Sequence, residues 1–346
     1  MKIEVYSPTI RRKEMDAVLT AMVEDKIGPG EYAQRLLQIA REHLGYDYCL
    51  ALRSPAIALY LALKALNLED GQGVIISALS PRYYKRVIEG MRLVPLYGDV
   101  LPALPCLGPQ TVEAVLARKT EASPRCIVLH HTLGFVPDMS GISGLGLPLI
   151  EDCSRSYGTI PAEGEGAAVQ AGTLSILGLE EKDMLTGGGG ALLYAANRRD
   201  ASVLRNQADL PPEYGLPDLN AAMAVVQFKE AGRNLEKRKE IAQVYTQSSL
   251  RTRHKRFVQA GNTEYNNYAF PLILETGMKD VKAYARRKDI AVENAFEDTL
   301  MGAGAVPPAL CPDAYSLSLR TALFPLYPRL GASETGKVAK LIVTLP

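Results

Sequence analysis

The chain has 346 residues, enough for about two domains, and an apolar fraction of 47% that is typical of a globular protein with a large core. Its 39 lysines and arginines balance 38 aspartates and glutamates, so the net charge is +1. This balance argues against nucleic-acid binding and against polybasic attachment to a membrane. No apolar run approaches the roughly 20 residues that span a bilayer.

The five cysteines are an odd, scattered set without a Cys-x-x-Cys pair. Such a pattern indicates neither a zinc site nor a disulfide framework. The first residues also lack the apolar core of a secretory signal. We therefore expect reduced thiols, no bound metal and a cytoplasmic location.

The first two-thirds of the chain alternate short apolar runs with amphipathic stretches. This alternation predicts βαβ units around a parallel sheet that helices cover on both faces. Strands are predicted at residues 48–52, 74–77, 94–97, 126–130, 147–151, 173–177 and 191–194. Helices are predicted between them at residues 56–66, 83–91 and 111–119.

A different pattern begins near Pro217. Residues 218–245 carry apolar side chains at helical spacing and predict one long helix. After the basic hexapeptide 251–256 the sequence predicts an α+β unit of roughly 100 residues. Its strands are predicted at 268–274, 291–295 and 321–326, and its helices at 278–287 and from 333. We predict two domains, residues 1–245 and 246–346, connected by the long helix.

Two turns at predicted strand ends carry candidate binding residues. Ser54-Pro55-Ala56 lies between a strand and a helix, and a helix N-terminus there can bind an anion through free N–H groups. Residues 151–155, with Asp152 and Arg155, follow a strand of the predicted parallel sheet, where ligands of open α/β folds bind. The alternatives are a plain βα turn and a solvated strand end with an arginine salt bridge.

Two polar segments are further candidates. Lys182 precedes the run Gly187–Gly190 by five residues, and a desolvated lysine amine is a nucleophile for a Schiff base. The alternative is a polar hairpin, in which neighbouring acidic residues keep the amine charged. The basic hexapeptide 251–256 either contacts a diphosphate or forms a solvated loop.

Taken together and in this order, these residues resemble the sugar aminotransferases of the DegT/DnrJ/StrS type, which are fold-type-I enzymes that use pyridoxal phosphate. Residues 54–59 stand at the family's phosphate-binding turn, and residues 151–154 resemble its Glu-Asp-Ala-Ala motif. Residues 182–190 have the spacing of its Lys-x-x-x-x-Gly-x-Gly-Gly segment. The resemblance implies a large α/β domain with a mainly parallel sheet, a small C-terminal α+β domain, and an active site shared by a homodimer. The long helix, residues 218–245, offers an apolar stripe for the dimer contact.

The resemblance also implies a role for each matching residue. Lys182 would form the Schiff base with the cofactor and move the proton, and Asp152 would pair with the protonated ring nitrogen. Arg155 would face the ring oxygen. The remaining cofactor-binding residues would be Ser54, Pro55, Ala56, Ser175 and Tyr83. The implied reaction transfers an amino group from an amino donor to a keto-sugar, nucleotide-linked, in sugar or surface-polysaccharide biosynthesis.

Several positions depart from the family pattern. Pro55 and Ala56 stand where the family has Gly and Thr. Pro81 stands where the family has an aromatic residue that stacks on the cofactor ring, and Tyr83 or Tyr84 could substitute for it. The segment before Lys182 is one residue short. These departures keep open a second hypothesis, a catalytically silent homologue with weak or lost cofactor binding that binds a sugar nucleotide or a protein partner.

The segment around Lys182 also carries a prediction about where its side chains point. We expect the Lys182 amine to point into the cleft beside Asp152, and the carboxylates of Glu180, Glu181 and Asp183 to face solvent.

Overall fold

The computed structural model describes residues 2–161, 172–207, 209–259 and 263–346. The helices are α1 Arg12–Val23, α2 Glu31–Leu44, α3 Pro55–Ala65, α4 Arg82–Gly90, α5 Pro109–Leu116, α6 Met139–Ser143, α7 Arg198–Arg205, α8 Asp218–Ser249, α9 Met278–Arg286, α10 Pro312–Arg320 and α11 Ala332–Val343. The strands are β1 Tyr48–Leu52, β2 Gly73–Ser77, β3 Val94–Gly98, β4 Pro124–His130, β5 Leu149–Asp152, β6 Ile160–Pro161, β7 Leu174–Gly178, β8 Ala191–Ala195, β9 Thr263–Glu264, β10 Phe270–Ile273, β11 Glu293–Asn294 and β12 Thr321–Phe324.

Seven strands form the main sheet, in the order β1-β8-β7-β5-β4-β2-β3. The pairs β2–β3, β2–β4, β4–β5 and β5–β7 are parallel, whereas β8 is antiparallel to both of its neighbours. The predicted mainly parallel sheet is therefore confirmed. Because β2, β4 and β5 are adjacent and parallel, their carboxyl ends bring residues 77–80, 130–131 and 152–155 to one edge.

The long helix α8 is confirmed. Of its apolar side chains, Phe228, Ile241 and Tyr245 are buried within the chain, whereas Leu219, Met223 and Val226 are half-buried and Val244 is 41% exposed. The helix packs against α1, α2 and α11, and its role in a dimer contact stays a prediction. A second exposed apolar face lies on α1, where Met15, Leu19, Met22 and Val23 are 52–84% exposed.

A second core lies around the small antiparallel sheet β10-β12-β11. Residue Ile3, from the other end of the chain, is part of this core and pairs with the segment at Ile290. The Ile3 N–H donates to the Asp289 carbonyl at 2.8 Å, and the Ala291 N–H donates to the Ile3 carbonyl at 2.8 Å. The division at residues 245 and 246 stays a prediction.

Among the described residues, none of the helices is both long and apolar enough to cross a membrane. All five cysteines are buried free thiols, as expected for the apolar segments that contain most of them.

Candidate active site

Asp152 ends strand β5 and is 1% exposed. Its Oδ1 accepts the Ser154 N–H at 3.0 Å and the Ser154 hydroxyl, and its Oδ2 accepts the Tyr84 hydroxyl at 2.5 Å. His130 Nδ1, at the end of neighbouring strand β4, lies 3.3 Å from the same Oδ2. The carboxylate is therefore fixed from three sides at the carboxyl edge of the sheet.

These contacts decide the charge of Asp152. Burial alone would raise its pKa, because a low dielectric disfavours the ionised form. The contact with His130 and the hydroxyl groups of Ser154 and Tyr84 favour the carboxylate and outweigh burial. The pKa of Asp152 is consequently held well below its usual value, and the side chain is ionised at neutral pH.

Two tyrosines at the start of helix α4 approach this carboxylate with their hydroxyl groups. Tyr84 is fully buried, and Tyr83, which is half-buried, donates to Asp152 Oδ2 at the longer distance of 3.4 Å. Their rings meet edge to face, with centroids 5.0 Å apart. The structure therefore places Tyr83 beside Asp152.

Ser54, Pro55 and Ala56 form the first turn of helix α3, as predicted. The Ser54 hydroxyl caps the helix by accepting the Ile57 N–H at 3.3 Å, and Pro55 is buried at the first helical position. A serine N-cap followed by proline is a strong helix start. The proline has no N–H, so this turn offers an anion one donor fewer than an ordinary helix N-terminus.

The prediction that Ser175 lies on the cofactor side is wrong. In the register of the sheet Ser175 is opposite Glu151, whereas Asp152 is opposite Ile176. Because side chains alternate along a strand, Ser175 and Asp152 point to opposite faces. Ser175 is buried beside Tyr194, in a cluster where the Cys153 thiol donates to Glu151 at 3.7 Å.

The glycine run after Lys182 has the backbone that only glycine adopts easily. Gly188, Gly189 and Gly190 have φ angles of 71°, 144° and 118°. The N–H groups of Gly187 and Gly189 both donate to the Leu179 carbonyl, at 2.8 and 3.0 Å. The run therefore closes a tight loop that fixes the segment 180–186.

Lys182 lies in this loop, and its side chain is exposed. Its carbonyl accepts the Tyr268 hydroxyl at 2.7 Å, and the carbonyl before it accepts the Tyr6 hydroxyl. Lys182 lines the cavity described below. Within the described ranges, no carboxylate oxygen lies within 4.0 Å of its amine. That the amine points toward Asp152 stays a prediction.

The predicted direction of the neighbouring carboxylates is correct for Glu180 and Glu181, which are exposed, and wrong for Asp183. The Asp183 carboxylate turns inward and accepts the Glu180 N–H at 2.9 Å. It can do so because Gly178 has no side chain: a Cβ there would lie 2.2 Å from Asp183 Oδ2. The space at Gly178 thus lets the Asp183 carboxylate lie inside the fold.

Burial raises the pKa of Asp183 to about 7. The Arg155 guanidinium counteracts this effect, and the negative charge of Asp152 adds to it. The site consequently contains two carboxyl groups with pKa values shifted in opposite directions.

A cavity lies between the carboxyl edge of the main sheet and the small sheet. Leu79, Pro81, His130, Arg155 and Lys182 line it from the main sheet and its loops. Across from them lie Tyr6, Tyr268 and residues 293–295. The cavity brings Lys182 and Arg155 together, as predicted, whereas Asp152 and the Ser54 turn are outside its lining.

Residues 8–343 match the DegT/DnrJ/EryC1/StrS aminotransferase family. The chain belongs to this family. Among curated proteins, it is 32% identical over 183 residues to the L-glutamine:2-deoxy-scyllo-inosose aminotransferase of Streptomyces fradiae. This match covers 51% of the present chain and 41% of the Streptomyces fradiae protein. It is 30% identical over 171 residues to the L-glutamine:scyllo-inosose aminotransferase of Streptomyces griseus, covering 48% of this chain and 39% of that protein. These matches thus span less than half the length of either relative.

Solved structures of the DegT/DnrJ/EryC1/StrS type share the whole fold. A putative sugar aminotransferase from Streptococcus pneumoniae in its PLP form superposes with a TM-score of 0.88 at 15% identity, covering 99% of this chain and 98% of the other. The aminotransferase TlmJ from Streptoalloteichus hindustanus superposes with a TM-score of 0.85 at 20% identity, covering 98% and 97%. The predicted fold-type-I architecture is therefore confirmed.

Sequence reasoning missed three residues of this site. Asn266 and Tyr268 come from the loop before β10, more than 100 positions after Arg155, and no local pattern marks them. His130 had a weak signal, because it is the last residue of a predicted strand at the edge where Asp152 was expected.

Proposed function

We propose that the protein is a pyridoxal-phosphate-dependent aminotransferase that transfers an amino group from a small amino donor to a keto-sugar. The observation that carries the proposal is the ionised Asp152 at the edge of the sheet, in contact with His130, which lines the same cavity as Lys182. Two matched relatives are named as inosose aminotransferases, which supports a sugar-derived acceptor. The cytoplasmic location and the absence of nucleic-acid and membrane partners stay predictions.

The ring end of pyridoxal phosphate fits the residues present. Ser80 Oγ is a buried polar atom without a hydrogen-bond partner in the described part of the chain. It follows strand β2 at the edge of the sheet that holds Asp152. The phosphate end fits less well, since the Ser54 hydroxyl already caps α3 and Pro55 has no N–H. We therefore expect specific but weakened cofactor binding.

Bound pyridoxal phosphate would supply an electron sink for the carbon that exchanges its amino group. Asp152 would hold the ring nitrogen in its protonated form, while Ser154 and Tyr84 keep the carboxylate oriented. Tyr83, whose bond to Asp152 is the longest, would yield its place to the ring nitrogen. The Lys182 amine would bind the cofactor and carry the proton, and the first turn of α3 would contact the phosphate.

Addition of pyridoxal phosphate is expected to produce a visible absorption band that borohydride removes, with the cofactor mass retained on the peptide that contains Lys182. Lys182→Ala should abolish the band and leave the melting temperature nearly unchanged, because truncation of an exposed loop side chain alters stability by less than about 0.5 kcal/mol. Lys119→Ala, which changes an exposed loop lysine outside the lining of the cavity, is the matched control. A band that persists in Lys182→Ala would overturn the assignment.

A second candidate is the catalytically silent homologue. Both Asp152 oxygens already accept hydrogen bonds from the chain itself, and Asp183 adds an inward carboxyl whose charge interacts with those of Arg155 and Asp152. These contacts favour a site whose polar groups already have their hydrogen bonds and counter-charges without a cofactor. If wild-type protein develops no band at saturating pyridoxal phosphate, this candidate replaces the enzyme.

We also propose that the protein is a homodimer. The exposed apolar face of α1, formed by Met15, Leu19, Met22 and Val23, is the kind of surface that a second copy covers. Sedimentation at micromolar concentration should show a dimer, and the double change Leu19→Glu and Met22→Glu should shift it to a monomer. The matched control is Val258→Glu, which changes an exposed apolar residue outside α1. A wild-type monomer would refute the proposal.

A further inference from the structure

Three side chains of the kinds that bind metal ions meet on the face of the main sheet that points away from Asp152. Glu151 belongs to β5, Cys153 follows that strand, and His131 follows the neighbouring strand β4. They are 0%, 2% and 1% exposed, respectively. Their ligand atoms all lie within 4.8 Å of one another. A carboxylate, a thiol and an imidazole therefore share a buried space that the proposed amino transfer does not use.

The imidazole of His131 turns a nitrogen without a hydrogen-bond partner toward this space. Its Nδ1 lies 2.7 Å from the Ser156 hydroxyl, which itself donates to the Cys153 carbonyl at 3.4 Å. The hydroxyl oxygen therefore accepts the Nδ1–H, and the lone pair of the ring is on Nε2. In the described part of the chain, this buried Nε2 has no hydrogen-bond partner. It lies 4.0 Å from Glu151 Oε2.

A lone pair and a carboxylate oxygen thus face each other inside the protein. Burial lowers the pKa of the His131 imidazole to about 4, so the ring is uncharged at neutral pH. A distance of 4.0 Å is too long for a hydrogen bond between Nε2 and Oε2. Buried acceptors that lack a donor are unfavourable, and a cation between these two atoms would satisfy both.

The Glu151 carboxylate is oriented by the chain so that one oxygen points at the other two side chains. Its Oε1 accepts the Gly172 N–H, and a Cβ on Gly172 would lie only 2.9 Å from that oxygen. Its Oε2 accepts the Cys153 thiol at 3.7 Å. Partners of this kind, like the Ser156 hydroxyl behind His131, are what orient the ligands of metal sites.

We propose that His131, Glu151 and Cys153 bind one Zn²⁺ ion. The ion takes the place of the thiol proton, which leaves to solvent, and the carboxylate and thiolate together balance its two positive charges. Thiolate and imidazole ligands favour zinc, whereas Ca²⁺ and Mg²⁺ prefer oxygen ligands. Tetrahedral zinc holds its ligand atoms roughly 3.3–3.8 Å apart, so the three side chains close around the ion by about 1 Å.

Sequence spacing did not indicate this site, and the sequence analysis expected no bound metal. Glu151 and Cys153 are close in sequence, but His131 comes from the end of a different strand. Only the parallel pairing of β4 with β5, which aligns His130 with Asp152, brings the three ligands together. Because all three are buried, we expect the ion to enter as the chain folds.

Refolding of the full chain with Co²⁺ under reducing conditions, without pyridoxal phosphate, tests the proposal. The wild type should retain one Co²⁺ per chain and show a thiolate-to-cobalt absorption band in the near ultraviolet. Zn²⁺ should remove that band, because it binds such sites more tightly than Co²⁺. Protein refolded with Zn²⁺ should melt at a higher temperature than protein refolded without metal, since an ion that binds only the folded state stabilises it.

Three variants assign the ligands. Cys153→Ser should abolish the cobalt band, and Ser156→Ala should keep it while weakening Zn²⁺ binding about 10- to 100-fold, the usual effect of losing an outer partner. Glu151→Gln, which keeps an acceptor oxygen but loses the charge, should also weaken Zn²⁺ binding. Cys126→Ser changes another buried free cysteine, which lies in β4 outside this cluster, and is the matched control.

Wild-type protein that refolds but retains neither Co²⁺ nor Zn²⁺ would overturn the inference, and this result requires no variant. A cobalt band that survives in Cys153→Ser would assign the thiolate to another cysteine. If Cys153→Ser does not fold, unchanged Zn²⁺ affinity in Glu151→Gln excludes the site equally. None of these results depends on pyridoxal phosphate, so failure of the proposed function would leave them unchanged.

Discussion

Asp183→Asn is expected to stabilise the protein above neutral pH. The pKa of Asp183 is raised from 3.8 to about 7 in the fold, so the fold favours the neutral carboxyl. That contribution to stability is complete below about pH 4 and is lost as the pH rises through about 7. A shift of this size corresponds to at most ~4 kcal/mol, and because the residue is partly exposed we expect about 2 kcal/mol for the variant at pH 8.

Urea unfolding at a series of pH values measures the effect. The asparagine keeps a carbonyl oxygen for the Glu180 N–H, so the loop geometry is preserved while the charge is removed. The wild type should lose stability relative to Asp183→Asn between about pH 4 and pH 7. The variant Glu180→Gln, which changes an exposed neighbour, should show the same pH dependence of stability as the wild type. If the free energies of unfolding of Asp183→Asn and the wild type change with pH in the same way, the Asp183 carboxylate is solvated.

Asp152→Ala is expected to lower the free energy of unfolding by about 4 kcal/mol, even without cofactor. The change leaves the buried Tyr84 hydroxyl and two donors of Ser154 without an acceptor. Each buried donor left unpaired costs roughly 1–3 kcal/mol. Asp152→Asn, which keeps an acceptor oxygen, should lose much less stability.

The two Asp152 variants separate structure from chemistry. Both lack the negative charge, so both should bind pyridoxal phosphate at least about tenfold more weakly than the wild type. Asp298→Ala, an exposed carboxylate at the cavity rim, is the control for stability and binding. Cofactor affinity and transamination at wild-type levels in Asp152→Asn would show that Asp152 serves only to hold the sheet edge together.

Much of the main sheet was predictable because each strand is a short apolar run followed by a helix start such as Ser54-Pro55. The apolar run at residues 147–151 likewise predicted the end of this strand to within one residue of Asp152, where β5 ends. Helices α1 and α2 were not predicted, although Gly45, with a φ of 64°, marks the end of α2 as a usual helix C-terminus. These helices have mostly polar sequences, and each buries one face only because it packs against α8.

The interior of the site was harder to predict because it depends on contacts distant in sequence. The inward turn of Asp183 requires the empty space at Gly178, and spacing alone places Lys182 there instead. The face to which Ser175 points depends on strand register, which a one-residue shift reverses. The partners of Arg155 lie more than 100 residues away, where no local periodicity connects them.

The pairing of Ile3 with the segment at Ile290 has a consequence for how the chain folds. Closing this contact requires a loop of nearly the whole sequence, and contacts of such separation form late and slow the overall rate. During synthesis on the ribosome, Ile3 emerges long before residues 289–291, with which it pairs. The small core, of which Ile3 is part, is thus completed only after most of the chain has been synthesised.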